Sequence, residues 1–143
     1  MTRVAFLGLG HMGLPMARNL AAAGHDVVGF DVFPGARDAA RAAGLAVAES
    51  GPDAVTSLGS SQGAEIVITM FQSGRQVIDA YAGVEGADGL VAVASPHTLF
   101  IDCSTIAVDE AREVHRLAEV AGHRALDAPV SGGVVGAENG TLA

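Results

Sequence analysis

The sequence predicts an α/β fold: a doubly wound, mostly parallel sheet with helices on both faces. Two observations lead to this prediction. Several short apolar runs are continuous rather than alternating, which is typical of strands that are covered on both sides. Three helical patterns end in a glycine that is followed at once by a β-prone run. Alternating strands and helices of this length build doubly wound sheets.

The individual elements follow from these two patterns. The continuous apolar runs that we interpret as strands are residues 4–7, 27–30, 66–70 and 99–101. The joints AAAGHDVV (21–28), RAAGLAVA (41–48) and EVAGHRAL (119–126) each place glycine where a helix ends, because glycine suits the left-handed position after the last turn. Residues 108–121 carry helical spacing, whereas the glycine- and alanine-rich stretch 82–97 is expected to be an irregular connection.

Composition limits the classes of protein. The 143 residues, half of them apolar, suffice for one domain with a core, and we see no linker to a second domain. A formal net charge of −8 argues against nucleic-acid or anionic-membrane partners, and no apolar run approaches the length of a membrane helix. A single cysteine, Cys103, excludes an internal disulfide and predicts a reducing compartment, the cytoplasm.

Other candidate ligands and nucleophiles are interpreted as structural. Cys103 has no basic neighbour to activate it, so we expect a small buried residue rather than a nucleophile. The histidines show no metal-ligand spacing, so no metal site is predicted. His25, His97, His115 and His123 are expected on the surface.

The stretch GLGHMG carries the first functional signal. Gly8, Gly10 and Gly13 follow a predicted strand and open a helix, and Asp31 ends the second strand, eighteen residues past Gly13. This is the dinucleotide fingerprint of a Rossmann-type fold. Gly8 permits the tight turn, Gly10 lets the backbone approach the pyrophosphate, and Gly13 allows close packing of the helix.

The acid at position 31 predicts the choice of cofactor. Asp31 would accept hydrogen bonds from the adenosine ribose and repel the 2′-phosphate of NADP, so NAD is preferred over NADP. Val32 and Phe33 supply no cation, and Arg37 and Arg41 fall one or two helical turns further on. A glycine-rich turn that binds nothing is the alternative interpretation of this stretch.

Several separated motifs resemble one family in the same order. The stretches FLGLGHMGLPMARNL, DCSTI and DAPVSGGVVGAENGTL resemble the β-hydroxyacid dehydrogenases. FDVFPGA and ITMFQSG are most similar to members that act on 3-hydroxyisobutyrate. The resemblance implies oxidation of this small anionic hydroxy acid to methylmalonate semialdehyde, with hydride transfer to NAD, in valine degradation. Tartronate semialdehyde or another small β-hydroxy acid is an alternative substrate, and a non-catalytic NAD-binding module is an alternative function.

The resemblance also assigns residues to the two ligands. The cofactor residues it implies are Gly8, Leu9, Gly10, His11, Met12, Gly13, Asp31, Val32, Met70, Phe71, Gln72, Gln76 and Thr105. Ser131, Gly132 and Gly133 match the loop that holds the substrate carboxylate, and Asp127 is expected to orient that loop. The family commonly has Leu-Pro where this chain has Phe71-Gln72, which puts the local backbone in doubt.

The family's catalytic group is not among these residues. All eight basic residues are arginines, whereas the family uses a lysine as general acid and base in a second, helical domain. We therefore expect residues 1–143 to be a truncated NAD-binding Rossmann domain, inactive alone, with the lysine beyond Ala143 and homo-oligomers formed at full length. Residues 141–143 are expected to begin an apolar strand.

Overall fold

The fold predicted from the sequence is confirmed. The computed structural model describes residues 1–56 and 63–143, and its main feature is a parallel sheet of six strands with helices on both faces. The strands are β1 (Arg3–Leu7), β2 (Asp26–Phe30), β3 (Ala46–Val47), β4 (Ile66–Thr69), β5 (Gly83–Val84), β6 (Ala87–Asp88), β7 (Leu99–Asp102) and β8 (Arg124–Asp127). The helices are α1 (Gly13–Ala22), α2 (Pro34–Ala42), α3 (Gly51–Thr56), α4 (Gly74–Ala82), α5 (Leu90–Val93), α6 (Val108–Val120) and α7 (Gly133–Asn139).

The strand order places a crevice at the centre of the sheet. The order is β3-β2-β1-β4-β7-β8, and every pairing in this sheet is parallel. The chain moves outward from β1 to β3 in one direction, then returns to β4 and moves outward in the other. The reversal lies between β1 and β4, and ligands of doubly wound sheets bind beyond the carboxyl ends of the strands at such a point.

All three predicted joints between a helix and a strand have the same geometry. Gly24, Gly44 and Gly122 have φ values of 95°, 88° and 85°. At the first joint the Gly24 N–H donates to the Ala21 carbonyl at 3.0 Å and the His25 N–H donates to the Leu20 carbonyl at 3.2 Å. The other two joints repeat this pair of bonds, which is the Schellman ending of a helix.

The two faces of the sheet bury separate apolar clusters. Along β1, Val4 and Phe6 pack into one cluster with α1 and α2. Ala5 and Leu7 alternate with them and pack into the other cluster, with residues of α3, α4, α5 and α6. Because both faces of β1 are covered, its residues from Val4 to Leu7 are nearly inaccessible, which explains the continuous apolar run.

Three predicted details are wrong. The stretch 82–97 is not wholly irregular: it contains the antiparallel hairpin β5–β6 and the short helix α5, because Gly83 and Gly86 adopt the positive φ values that the hairpin requires. Its glycines suggest that the stretch DAPVSGGVVGAENGTL is a loop, but residues 133–139 within it form a helix. Residues 141–143 do not form a strand; Ala143 instead exchanges two backbone hydrogen bonds with Ser131.

The helix α7 is held by its neighbour. The Asn19 side-chain amide, on α1, donates to the Ala137 carbonyl at 2.7 Å, so a last-turn carbonyl of α7 gains a partner that its own helix cannot supply. Among the residues that the structure describes, no helix has the length and apolar character needed to cross a membrane. No cluster of metal-ligating side chains is found in the same part of the chain.

Candidate functional site

The glycine loop closes tightly on the ends of β1 and β4. Gly8 has φ 99°, and its N–H donates to the Phe30 carbonyl at 2.9 Å. A β-carbon on Gly8 would overlap the Met70 carbonyl, and one on Gly13 would overlap the Gly8 carbonyl. Neither position therefore accepts a side chain in this backbone.

The second glycine of the motif differs from the other two. A β-carbon on Gly10 would meet no described atom within 4 Å, and the residue is exposed at the start of α1. The space left open there faces a helix N-terminus, where free N–H groups and the helix dipole favour a phosphate. His11 and Met12 lie beside it, exposed and half-buried respectively.

The Asp31 carboxylate is fixed between two loops. Its Oδ2 accepts a hydrogen bond from the Leu9 N–H at 2.8 Å, and its Oδ1 accepts one from the Phe33 N–H at 2.9 Å. Each carboxylate oxygen has a further lone pair for a ligand hydroxyl. The neighbouring Val32 and Phe33 are 69% and 67% exposed, so they offer an apolar surface beside the carboxylate; a ligand contact at Phe33 is not indicated by the sequence.

The end of β4 is held by a hydrogen bond to β1 and by bonds within the turn that leads into α4. The Met70 N–H donates to the Leu7 carbonyl at 2.9 Å. The Gln76 side-chain oxygen accepts from the Gln72 N–H at 3.0 Å, and the Ser73 hydroxyl caps α4 by accepting from the Gln76 N–H at 3.3 Å. Gln76 thus orders the turn that carries Phe71 and Gln72, and a contact between Gln76 and the cofactor stays a prediction.

A buried polar network that sequence reasoning missed joins β4 to β7. The Asp102 Oδ1 accepts from the Thr69 hydroxyl at 2.9 Å and from the Ser104 N–H at 3.2 Å. The Ser104 hydroxyl in turn accepts from the Phe71 N–H at 2.8 Å. Burial raises the pKa of the Asp102 carboxyl, although the bonds from Ser104 and Thr69 oppose the shift. Thr69 also hydrogen-bonds Tyr81, the hydroxyl of which has a pKa raised chiefly by burial.

This network fixes two strand ends at once. Thr69 and Asp102 are paired in register on adjacent strands, and Thr69, Asp102 and Ser104 are at most 2% exposed. Phe71 and the exposed Thr105 are therefore carried by backbone that the network holds in place. The Asp102 Oδ2 has no partner among the described residues, which makes the carboxyl costly to ionise.

Cys103 and His123 give one confirmed and one wrong prediction. Cys103 is 7% exposed, and burial, with the nearby Asp102 charge, raises the pKa of its thiol to about 11, as expected of a structural residue. His123 is not on the surface: it is 7% exposed and packs on the Phe100 ring with centroids 5.1 Å apart. Its Nε2 lies 2.8 Å from the Val91 carbonyl, because α5 covers this part of the sheet.

The predicted substrate loop follows β8. Gly132 and Gly133 have φ values of 136° and 62°, a backbone that L side chains rarely adopt. Both backbone groups of Ser131 are engaged by Ala143, at 2.8 and 3.0 Å. The Ser131 hydroxyl and the glycine N–H groups are therefore the groups of this loop that a carboxylate could reach.

The structure brings most of the predicted residues to one edge of the sheet. The carboxyl ends of β1, β2, β4 and β7 place the glycine loop, Asp31, Met70 and Thr105 around the crevice between β1 and β4. A groove of about 370 Å³ lies elsewhere, between α1, the end of α2 and α7. It contains none of the predicted site residues: its lining is Pro15, Arg18, Asn19, Ala21, Ala22, Ala43, Gly44, Leu45 and Glu138.

Comparison with known proteins decides the family. A family model described as the NAD binding domain of 6-phosphogluconate dehydrogenase matches residues 3–143. The chain belongs to this family. A Mycobacterium tuberculosis 3-hydroxyisobutyrate dehydrogenase solved with L-serine is 53% identical, with a TM-score of 0.88 over 99% of this chain. An NAD-dependent L-serine dehydrogenase of Pseudomonas aeruginosa is 46% identical over 99% of this chain.

Two limits follow from the same comparisons. This chain spans 45% of the length of both relatives, so it is similar to less than half of each. A third structure, of a protein named Psf3 in complex with NADP⁺ and 2-OPP, is 28% identical with a TM-score of 0.84 over 97% of this chain. Relatives of this domain thus include an NADP complex, and the family alone does not decide between the two dinucleotides.

Proposed function

We propose that this chain is the NAD-binding domain of a dehydrogenase that oxidises a small β-hydroxy acid. The observation that carries the proposal is the Asp31 carboxylate, held at the end of β2 by the Leu9 and Phe33 N–H groups beside a glycine loop with open space at Gly10. A fixed carboxylate at this point accepts ribose hydroxyls and disfavours a 2′-phosphate. NAD is therefore the preferred cofactor.

The proposed site has a part that binds the cofactor and a part that binds the substrate. Gly8 to Gly13, Asp31 and Val32 bind the adenosine and pyrophosphate half of the cofactor, and Met70 to Gln72, Gln76 and Thr105 lie along the nicotinamide half. Ser131, Gly132 and Gly133 bind the substrate carboxylate. A nicotinamide cofactor bound here would supply the hydride acceptor, and the glycine loop, Asp31 and the ends of β4 and β7 would hold and orient it.

The proton of the substrate hydroxyl needs a further group. Three side chains at the strand ends are poor candidates to take it, because Asp102 and Cys103 are buried and Asp31 is committed to two backbone N–H groups. We propose that a lysine in the half of the protein outside these residues is the general acid and base, and that the complete protein is a cytoplasmic homo-oligomer.

3-Hydroxyisobutyrate, oxidised in valine degradation, is the first proposed substrate, and L-serine is the second. Both are β-hydroxy acids with a carboxylate for the Ser131 loop. L-serine is favoured by the names of two relatives, one a serine dehydrogenase and the other solved with L-serine. A steady-state assay of the complete protein with NAD tests the order: 3-hydroxyisobutyrate should give the highest kcat/KM, ahead of L-serine and of tartronate semialdehyde assayed in the reductive direction. A higher value for L-serine would reverse the assignment.

Cofactor binding can be tested on this chain alone. Titration with NADH, followed by its fluorescence, should show binding that Asp31→Ala weakens about 10- to 100-fold, the equivalent of about 1.5–3 kcal/mol for charge-assisted hydrogen bonds. Asp38→Ala is the matched control, since Asp38 is an exposed carboxylate on the neighbouring helix. Equal affinities for all three proteins would refute the ribose assignment.

A further inference from the structure

Arg37 is closer to the cofactor site than its sequence position indicates. It lies on α2, a helical turn beyond the loop that follows β2, yet its side chain reaches back along that loop. Its Nη1 donates to the Asp31 carbonyl at 2.7 Å and to the Val32 carbonyl at 3.2 Å. The guanidinium also lies over the Phe30 ring, 5.7 Å from the centroid. A permanent cation is thus held beside the backbone of the residue proposed to bind the ribose.

The other arginine of this helix is engaged differently. Arg41 is 3.2 Å from the Asp38 carboxylate and 2.6 Å from the Glu49 carboxylate, so its charge is paired. Within residues 1–56 and 63–143, Arg37 makes no ion pair, and its two hydrogen bonds both use Nη1. A guanidinium carries five N–H donors, so Nη2 and Nε remain available for an oxyanion.

The group that opposes a phosphate beside Arg37 is the Asp31 carboxylate. The Asp31 carboxylate cannot turn away without giving up the Leu9 and Phe33 N–H groups, which it accepts at 2.8 and 2.9 Å. A 2′-phosphate would meet this fixed negative charge at hydrogen-bond range. The Arg37 side chain, in contrast, matches the planar, two-pronged geometry with which a guanidinium binds a phosphate.

We propose that Arg37 is a second determinant of cofactor choice, the group that receives the 2′-phosphate of NADP once the carboxylate at position 31 is removed. Asp31 alone then maintains the preference for NAD, and the site contains a latent NADP subsite. The inference deepens the proposed function, on which it rests, because it requires the adenosine ribose to lie at Asp31.

The test is a set of variants with two cofactors. Dissociation constants for NADH and NADPH are measured by fluorescence titration of this chain, of Asp31→Ser, and of Asp31→Ser combined with Arg37→Gln or with Arg41→Gln. Arg41→Gln is the matched control, because it removes the same charge from the same helix at a paired position. Asp31→Asn replaces Asp31→Ser if the serine variant does not fold, since its side-chain oxygen can still accept one loop N–H.

The expected result is a change in the ratio of the two affinities. Asp31→Ser should raise the affinity for NADPH relative to NADH at least tenfold. Adding Arg37→Gln should lower this ratio again by about tenfold. Adding Arg41→Gln should leave the ratio at its raised value. A purely structural Arg37 would weaken both cofactors alike and leave the ratio unchanged, which would overturn the inference. Equal losses of NADPH preference with Arg37→Gln and Arg41→Gln would also overturn the inference, because they would show that only the net charge of the helix matters. If the unaltered chain binds neither dinucleotide, the proposed function itself fails, and this inference with it.

Discussion

Replacing Asp102 tests the buried network beneath the crevice. Asp102 is 2% exposed, and its Oδ1 accepts from the Thr69 hydroxyl and the Ser104 N–H at 2.9 and 3.2 Å. Asp102→Ala leaves both buried donors without this acceptor, at about 1–3 kcal/mol each, so the free energy of unfolding should fall by about 2–6 kcal/mol. Asp102→Asn keeps an acceptor in the same place and removes the charge.

The pH dependence separates both variants from the unaltered protein. Burial raises the folded-state pKa of Asp102 above its ordinary 3.8. The folded state therefore binds the Asp102 proton more tightly than the unfolded state does. The stability gained from this proton is complete below pH 3.8 and is lost as the pH rises through the folded-state pKa. Asp102→Asn does not titrate. Relative to the unaltered protein, this variant should therefore gain stability as the pH rises from 3.8 through the folded-state pKa of Asp102.

Urea unfolding followed by circular dichroism, at several pH values from below 3.8 up to neutral, measures both effects. Asp88→Asn serves as the control, since Asp88 is an exposed carboxylate in the β5–β6 hairpin. If Asp102→Asn is as destabilising as Asp102→Ala, an acceptor at this position does not supply the stabilisation. Our account of the network as a set of donors around one shared acceptor would then be wrong.

Other substitutions examine the glycine loop and the cysteine. Gly13→Ala should destabilise the fold by about 1–3 kcal/mol, because its β-carbon overlaps the Gly8 carbonyl. Gly10→Ala should have the urea stability of the unaltered chain and yet bind NADH more weakly. Equal stability losses in the two variants would contradict the different surroundings of the two glycines. Cys103, with a pKa of about 11 and 7% exposure, should react with Ellman's reagent at neutral pH only as fast as the protein unfolds. Rapid labelling of the folded chain would refute its buried placement.

The parts of the fold that the sequence predicted are those with local causes. Each helix end at Gly24, Gly44 and Gly122 depends on the left-handed backbone of one residue, and a glycine after a run of helix formers indicates it directly. The continuous apolar strands follow from burial on both faces. The positions of Gly8, Gly13 and Asp31 could be predicted for the same reason, since a turn, a close contact and a strand end are properties of short segments.

The Asp102 network depends on contacts between segments far apart in the sequence. Thr69 and Asp102 are 33 residues apart and meet only because β4 and β7 pair in that register. A signal was present, since both strands end an apolar run with a polar residue at a position that the sheet buries. The partner of each could not be identified without knowing which strands are neighbours.

The missed elements have low intrinsic propensity. Helix α7, of sequence GVVGAEN, contains two glycines and two valines, which local preference assigns to a loop or strand. Its packing against α1 and the bond from Asn19 to Ala137 supply the stabilisation that its residues lack. His123 was placed on the surface for a related reason, because only the fold shows that α5 covers it.

The Asn19 bond has a mechanical consequence. Helix α1 begins at Gly13, beside the glycine loop, and Asn19 lies six residues further on, about 9 Å along the axis. The same helix therefore abuts the glycine loop at one end and, towards the other, holds the segment that follows Ser131-Gly132-Gly133. A displacement of α1 by a fraction of an ångström would move both loops. The spacing between the glycine loop and the Ser131 loop is thus set by the length of one helix.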